Sequence, residues 1–171
     1  MERQGLAFFR TSGSRMMSAA SHGSLATILL LRGDLAGAEH EAQAAVEDAT
    51  GNRQIEASNQ GILAHVLLAR GRSADALVSS RSAHAILDEL GAVEEREMLI
   101  RLVHAEALAA NGEQEPARAI LAAARERLLT LASRIGDLDM RRRFLGNVPE
   151  NVRTLQLASQ WLGPERSPAG G

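Results

Sequence analysis

Histidine is the most versatile metal-binding and catalytic side chain in this sequence, because its neutral ring can coordinate a metal or accept a proton. A helical zinc site needs two such rings four residues apart, and no two histidines here have that spacing. No acidic residue completes a site around any of them. We therefore expect neither a metal nor a cofactor. The five histidines are His22, His40, His65, His84 and His104.

Serine hydrolase chemistry also has a candidate, since Ser24 follows His22 and Gly23. The sharp turn that exposes such a nucleophile carries the pattern G-x-S-x-G, which is absent from the sequence. Ser24 instead falls within a helical pattern. The sequence therefore predicts no catalytic residue and a protein that is not an enzyme.

Missing residue types exclude further chemistry. All 19 basic residues are arginine, and the chain contains no cysteine. Without lysine there can be no P-loop phosphate clamp, no pyridoxal Schiff base and no kinase-type nucleotide lysine. Without cysteine there can be no thiolate nucleophile, disulfide or cysteine-ligated zinc.

Arginines are concentrated in residues 118–153, which contain eight of them against four acidic residues. Such a local excess could bind an acidic partner or nucleic acid, although the net charge of the chain is −2. A solvated helix face is the simpler interpretation. The eight residues are Arg118, Arg125, Arg127, Arg134, Arg141, Arg142, Arg143 and Arg153.

The elements that would carry these side chains follow a repeated pattern, in which one alanine lies seven residues before a glycine and another lies five residues after it. Glycine readily adopts the left-handed conformation that ends many helices, and small residues let antiparallel helices cross closely. The pattern predicts three helical hairpins, with Ala64 and Ala76 facing each other in the second. The three sets are Ala26, Gly33 and Ala38, then Ala64, Gly71 and Ala76, then Ala105, Gly112 and Ala117.

Residues that favour helix starts support this division. Asp34, Ser73 and Asp137 are candidates for the N-cap position, where a side-chain oxygen accepts an unpaired backbone N–H group. Pro116 and Pro149 fit the first turn of a helix, where the missing N–H group costs nothing.

The pattern divides the chain into four segments. Residues 1–13 carry a short apolar group around Leu6, Phe8 and Phe9 and are predicted to be the remnant of a preceding helix, broken at 11–13. Residues 14–136 are predicted to form the three hairpins, and residues 137–163 the helices that cap them. Residues 164–171 are rich in Pro, Gly and Ser and are predicted to be a disordered tail.

Composition agrees with an all-α protein. The hydrophobic 45% of the chain consists largely of Ala and Leu, which favour helices over strands. No apolar run reaches the length of about eighteen residues that a membrane span needs, and the N-terminus lacks the layout of a secretory signal. We therefore expect no membrane association and a cytoplasmic location.

The repeated residues resemble the tetratricopeptide repeat (TPR) family across roughly residues 19–135. This resemblance implies a right-handed α-solenoid of antiparallel helix hairpins with a C-terminal capping helix. The glycines are 38 and 41 residues apart, more than the 34 residues of a standard repeat, which indicates a variant with longer helices. The matching positions are Leu25, Ala26, Leu29, Gly33, Ala38 and Ala45, then Leu63, Ala64, Leu67, Gly71, Ala76 and Ala83, then Ala105, Leu108, Gly112, Ala117 and Ala124.

The last third is similar to the C-terminal TPR tails of multidomain bacterial serine/threonine protein kinases that carry an ATPase module. The similarity rests on EEREMLIRLVHAEALAANGE, AAARERLLTLASRI and RRRFLGNVPENVRTLQLASQWLG. It implies a non-catalytic scaffold or regulatory module, the C-terminal part of a larger signalling protein. The alternative is the helical arm of a transcription regulator, whose arginine-rich segment contacts nucleic acid or an acidic partner.

In TPR proteins the first helix of each pair lines a concave groove that holds a peptide. The resemblance therefore places a candidate partner groove on three predicted helices, with Thr27, His65 and Glu106 in one column. The Lys and Asn residues that the family uses to clamp a C-terminal carboxylate are absent from these positions. The candidate groove consists of Thr27, Leu30, Ser58, Ile62, His65, Leu68, Leu99, Leu102 and Glu106.

The expected partner is a protein or peptide, or another domain of the same larger protein, rather than a membrane or nucleic acid. A neighbouring repeat or a second chain could instead cover the groove. The apolar N-terminal end, around Leu6, Phe8 and Phe9, is expected to contact a preceding domain or a second copy of the chain.

Overall fold

The computed structural model of the protein describes the backbone of residues 2–93 and 96–163, and the side chains of these residues from Gly13 onward. This part of the chain is all-helical and contains no strand, as the composition predicts. Its helices are α1 (Glu2–Leu31), α2 (Leu35–Asp48), α3 (Arg53–Ala69), α4 (Ser73–Leu90), α5 (Glu97–Ala110), α6 (Gln114–Ser133), α7 (Leu138–Asn147) and α8 (Pro149–Leu162).

The break predicted at residues 11–13 is wrong, because α1 is one continuous helix from Glu2 to Leu31. A single Gly within a helix costs only about 1 kcal/mol relative to Ala, which is too little to interrupt a long helix. Residues 2–13 therefore belong to the first helix and are not the end of a separate one. The side chains of Leu6, Phe8 and Phe9 and the predicted tail 164–171 lie outside the described residues.

Two of the three predicted N-caps are confirmed. Asp34 Oδ1 accepts a hydrogen bond from the Gly37 N–H at 2.9 Å, and Asp137 Oδ1 accepts one from the Met140 N–H at 2.8 Å. The prediction for Ser73 is wrong, since α4 already begins at that residue and no side chain caps it. Its N-cap position is filled by arginine, whose guanidinium forms ion pairs with acidic side chains instead.

The three turn glycines have the predicted conformation. Gly33, Gly71 and Gly112 have φ values of 80°, 74° and 85°, in the left-handed region where other residues are strained. Each ends the first helix of a pair, and the chain reverses within a few residues. The pairs that result are α1 with α2, α3 with α4, and α5 with α6.

Contacts between the pairs place their first helices side by side. Helix α3 packs against both α1 and α5, while α2 packs against α3 and α4 against α5. Helix α8 continues this series, because it packs against α5 and α6, and α7 packs against α6 and α8. The first helices and α8 therefore form one row in the order α1, α3, α5, α8.

The six repeated alanines are all fully buried. Ala26, Ala38 and Ala64 lie in one cluster between the first two pairs. Ala76 lies in a neighbouring cluster with Leu67. The small residues therefore support contacts between pairs as well as within them.

Replacing Ala76 with Leu should lower the free energy of unfolding by about 2 kcal/mol, because its position is fully buried and has no room for three more carbon atoms. Urea denaturation followed by circular dichroism would measure the change. Ala74→Leu is the matched control, since Ala74 is exposed in the same helix. An equal effect of both substitutions would contradict the close packing around Ala76.

Two histidines lie in the interface between α4 and α5. The rings of His84 and His104 are 4.7 Å apart, and Ser80 Oγ lies 3.1 Å from His104 Nδ1. Because the Ser80 hydroxyl donates to the Leu77 carbonyl, it accepts from the His104 Nδ1–H group. Burial lowers the pKa of His104 most, the charges of His84 and Arg81 add to this effect and Asp88 opposes it, and together they bring the pKa to about 4.

This pair should make folding sensitive to mild acid. Burial also lowers the pKa of His84, although Asp88 opposes the shift. Between the ordinary pKa of 6.5 and a folded pKa of about 4, the unfolded chain binds protons that the folded chain does not. The free energy of unfolding should therefore fall as the pH is lowered through this window, by an amount on the order of 2 kcal/mol.

Urea titrations at several pH values would test this prediction. His104→Gln should flatten the profile between pH 6.5 and 4, whereas His40→Gln should not, because His40 is exposed. A profile that is the same for the wild type and His104→Gln would contradict the assignment.

Candidate functional site

Two cavities lie along α3 on the face shared by the row of first helices. The first cavity has a volume of about 410 Å³ and lies between α1 and α3, next to the start of α5. The second has a volume of about 380 Å³ and lies between the ends of α3 and α5 and helix α8. The first is lined by Ala20, Gly23, Ser24, Asn52, Gln54, Ile55, Ser58, Asn59, Ile62 and Arg96, and the second by His65, Leu68, Ala69, Glu106, Ala110, Arg153 and Trp161.

Five of the nine candidate groove residues line these cavities. Ser58 and Ile62 line the first, and His65, Leu68 and Glu106 line the second. Since Ile62 and His65 lie about one turn apart on α3, the two cavities are neighbours along one helix.

The other four candidates have different surroundings. The Thr27 hydroxyl donates to the Gly23 carbonyl within α1, and Leu30 packs against the cluster between the first two pairs. Leu99 and Leu102 are buried, the latter in a cluster that includes Leu157 of α8. His65 and Glu106 thus line the same cavity, whereas Thr27 does not line it.

Asn59 forms a fixed part of the first cavity wall. Its Nδ2 group donates to the carbonyl oxygens of Ala19 in α1, at 3.3 Å, and Ala45 in α2, at 3.0 Å. A Cβ atom on Gly23 would lie only 2.5 Å from Asn59 Oδ1, so a glycine is required for this approach. No sequence pattern marks Asn59 or Gly23, because only the packed helices bring them together.

Arg96 lines the first cavity from the loop before α5. It has a φ of 65°, the one positive value among the non-glycine residues that the structure describes. The next residue, Glu97, accepts hydrogen bonds from Arg127 at 2.8 and 3.0 Å and from Arg101 at 3.0 Å. This ion-pair cluster, Glu97 with Arg101 and Arg127, holds the start of α5 against α6.

The protonation of Glu97 reflects this cluster. Burial by itself would raise its pKa, but the hydrogen bonds and charges of Arg127 and Arg101 outweigh burial, and the pKa is lowered from 4.5. Glu97 is therefore ionised at neutral pH and stabilises both guanidinium groups. No sequence pattern marked this residue, since its partners are four and thirty positions away.

The second cavity combines an imidazole, an ion pair and an aromatic ring. Burial lowers the pKa of His65, although the charges of Glu106 and Glu150 oppose the shift, so the ring is neutral at neutral pH. Arg153 Nε donates to Glu106 Oε1 at 2.9 Å, and Trp161 contributes the large apolar surface. Arg153 and Trp161 come from α8, which the sequence analysis treated as a cap.

The arginine-rich segment does not form one free basic surface. Arg127 is bound to Glu97, Arg153 to Glu106, and Arg141 donates to the Ile135 carbonyl oxygen at 2.7 and 3.1 Å. Arg142 and Arg143 are exposed on α7. The arginines that are close together in the sequence are therefore spread over several helices.

The tertiary contacts bring one serine and one histidine together in the interface between α4 and α5. Ser80 and His104 form a serine–histidine hydrogen bond, but Ser80 is fully buried and its hydroxyl donates to a backbone carbonyl. Within the described residues, no three His, Asp or Glu side chains converge as metal ligands. In the same part of the chain, every helix is too short or too polar to span a bilayer.

The N-terminal helix carries a further apolar surface. Met17, Ile28 and Leu31 are exposed on α1, which has a neighbouring first helix, α3, on one side. The apolar end predicted at Leu6, Phe8 and Phe9 precedes this surface and lies outside the described side chains.

Comparisons with known proteins give no relative. No protein-family model matches the chain, and no curated protein or solved structure matches it significantly. The arrangement of its own residues therefore has to support any functional conclusion.

Proposed function

We propose that the chain is a non-catalytic protein-interaction module that binds an extended peptide segment across the face formed by α1, α3, α5 and α8. In this proposal the three pairs form a right-handed α-solenoid of the TPR type, closed by α7 and α8. Support comes from the repeated Ala and Gly positions and from the side-by-side contacts of the first helices.

The observation that carries the proposal is the pair of cavities along α3. The first begins at Gln54 and the second ends at Ala69, a distance of about 22 Å along the helix. An extended peptide of about seven residues has this length. Successive pockets of mixed polarity suit the side chains of such a segment, while polar groups on the walls can bind its backbone.

Filling either cavity should weaken peptide binding at least about tenfold, because the pockets would no longer admit side chains. Ser24→Trp fills the first cavity and Ala110→Trp the second, and both residues are exposed, so the fold should be retained. Ala85→Trp is the matched control, since Ala85 is exposed on α4 and lines neither cavity.

The measurement is binding of fluorescently labelled seven-residue peptides selected from an array on the wild-type protein. The proposal requires that both cavity variants lose binding and that Ala85→Trp does not. Peptides that bind all three variants equally, or an array without any binder, would refute it.

The second part of the proposal concerns the wider protein. We propose that the chain is the C-terminal TPR region of a larger cytoplasmic signalling protein of the kinase and ATPase type, in which the face binds a partner or a domain of the same protein. The support is the similarity of residues 94–113, 122–135 and 141–163 to such tails. Sequencing the coding frame upstream of Met1 tests this, and an upstream frame without kinase or ATPase motifs would count against it.

A further inference from the structure

The loop before α5 places an arginine where the backbone favours glycine. Arg96 has a φ of 65°, in the left-handed region that costs a residue with a side chain roughly 1 kcal/mol. In comparable left-handed positions at the ends of other helices, the chain has Gly33, Gly71 and Gly112. The arginine thus occupies a position where glycine would be the more stable choice, and such strained positions are common at functional sites.

The guanidinium of Arg96 has no hydrogen-bond or ion-pair partner in the described helices around it. Within the described part of the chain, no side chain or carbonyl forms a hydrogen bond or ion pair with it, in contrast to the neighbouring Arg101. The first cavity is therefore lined by a positive charge that has no partner among the described residues. A carboxylate is the ligand group that a guanidinium binds with the best geometry, through two parallel hydrogen bonds.

The rest of the cavity fits a short acidic side chain with an aliphatic stem. Ile55 and Ile62 contribute apolar surface to the lining, and Ser24 and Asn52 contribute polar side chains. No acidic residue lines this cavity among the described ones. The described lining of the first cavity therefore carries one positive charge and no negative one, which makes it complementary to a negative group.

We propose that the first cavity binds the carboxylate of an Asp or Glu side chain in the partner segment, with Arg96 as the residue that recognises it. The inference rests on the proposed peptide-binding function and adds to it the chemical class of one partner residue. The proposed ligand is the carboxylate of a side chain and not that of a C-terminus.

The test is an NMR titration of the isotopically labelled protein with small probes. N-acetylglutamate amide carries the side-chain carboxylate, N-acetylglutamine amide replaces it with a neutral group, and N-acetylalanine carries only a terminal carboxylate. The amide resonances of Ser24, Ser58 and Ile62 report on the cavity. We expect them to shift with the glutamate probe, with a dissociation constant in the millimolar range, and to respond at least about tenfold more weakly to the other two.

Substitutions at Arg96 distinguish an effect on carboxylate binding from an effect on folding. Arg96→Gln should weaken the response to the glutamate probe about tenfold, whereas Arg143→Gln, an exposed arginine on α7, should not change it. Arg96→Gly should abolish the response while its melting temperature stays equal to that of the wild type or rises, because glycine removes the backbone strain.

Three results would overturn the inference. They are equal responses to the glutamate and glutamine probes, a response that survives Arg96→Gln, and a preference for N-acetylalanine. The proposed peptide-binding function is tested separately by Ser24→Trp and Ala110→Trp. If both of these variants lose peptide binding but Arg96→Gln does not, the peptide-binding proposal stands and the role of Arg96 is rejected.

Discussion

Ile100→Ala should lower the free energy of unfolding by about 3 kcal/mol, because it removes three buried carbon atoms and leaves a cavity. Ile100 is fully buried in a cluster with Ala57, Ile86 and Leu87, between the second and third pairs. It also touches α3 at Gly61, where a Cβ atom would lie 3.0 Å from Ile100 Cγ1. The residue therefore sets the distance between α3, which lines both cavities, and α5, which lines the second.

A double-mutant cycle with Gly61→Ala tests this contact. In the wild type the added methyl group meets Ile100, which offsets the gain of about 1 kcal/mol that alanine brings to a helix. In the Ile100→Ala background the same methyl group has space, so Gly61→Ala should become stabilising. Contacting residues of this kind typically show a coupling energy of about 0.5–3 kcal/mol.

Chemical denaturation of the four proteins would give the coupling energy. Leu129→Ala is the control, because Leu129 is partly exposed. It should lower the free energy of unfolding much less than Ile100→Ala does. Additive effects of Gly61→Ala and Ile100→Ala would contradict the close approach of α3 and α5.

Glu97→Ala should also lower the free energy of unfolding by about 3 kcal/mol, the lower end of the range for breaking a buried ion pair. The carboxylate is buried and accepts hydrogen bonds from two guanidinium groups, Arg101 and Arg127. Its removal leaves both charges partly buried and unpaired. Glu97→Gln should cost less, because an amide oxygen can still accept one of the hydrogen bonds.

The pH dependence of this effect has a defined direction. Because the folded pKa of Glu97 is lowered, its stabilisation is fully present above the ordinary value of 4.5 and is lost as the pH falls through the folded pKa. The wild type should therefore lose stability below about pH 4.5, and Glu97→Gln should lose less. Most of this window lies below the one assigned to His104, and the comparison of Glu97→Gln with the wild type at each pH separates the two groups.

Urea denaturation of the wild type and both Glu97 variants at a series of pH values, from neutral down to below the folded pKa of Glu97, would measure both effects. Glu115→Ala is the control, because Glu115 forms an exposed ion pair with Arg118 on α6 and should contribute very little. A loss for Glu97→Ala no greater than that for Glu115→Ala would mean that the ion-pair cluster does not stabilise the start of α5.

Ile100 and Glu97 both fix the position of α5, which contributes to the proposed peptide-binding face. Ile100 holds α5 against α3, and Glu97 holds the start of α5 against α6, directly after Arg96. A peptide-binding face gains affinity when its walls are already in place before the partner arrives. Destabilising either contact should therefore weaken binding as well as folding.

The sequence by itself determined the helices and the turns between them, because these depend on local backbone preferences. Gly33 and Asp34 end one helix and begin the next through a left-handed residue and a side-chain cap, both encoded within a few positions. The buried alanines were also identifiable, since their spacing repeats at each turn glycine. Where the local signal was weak, as at residues 11–13 and Ser73, the predictions failed.

Only the tertiary structure decided which side chains share a cavity. Arg96 and Ser24 line the first cavity from elements 72 residues apart, and Glu106 meets Arg153 across 47 positions. The periodicity of one helix indicates which face is buried but not how far neighbouring helices are rotated and displaced. Those quantities depend on contacts such as Gly61 with Ile100 and Asn59 with Gly23, which form only when the pairs pack together.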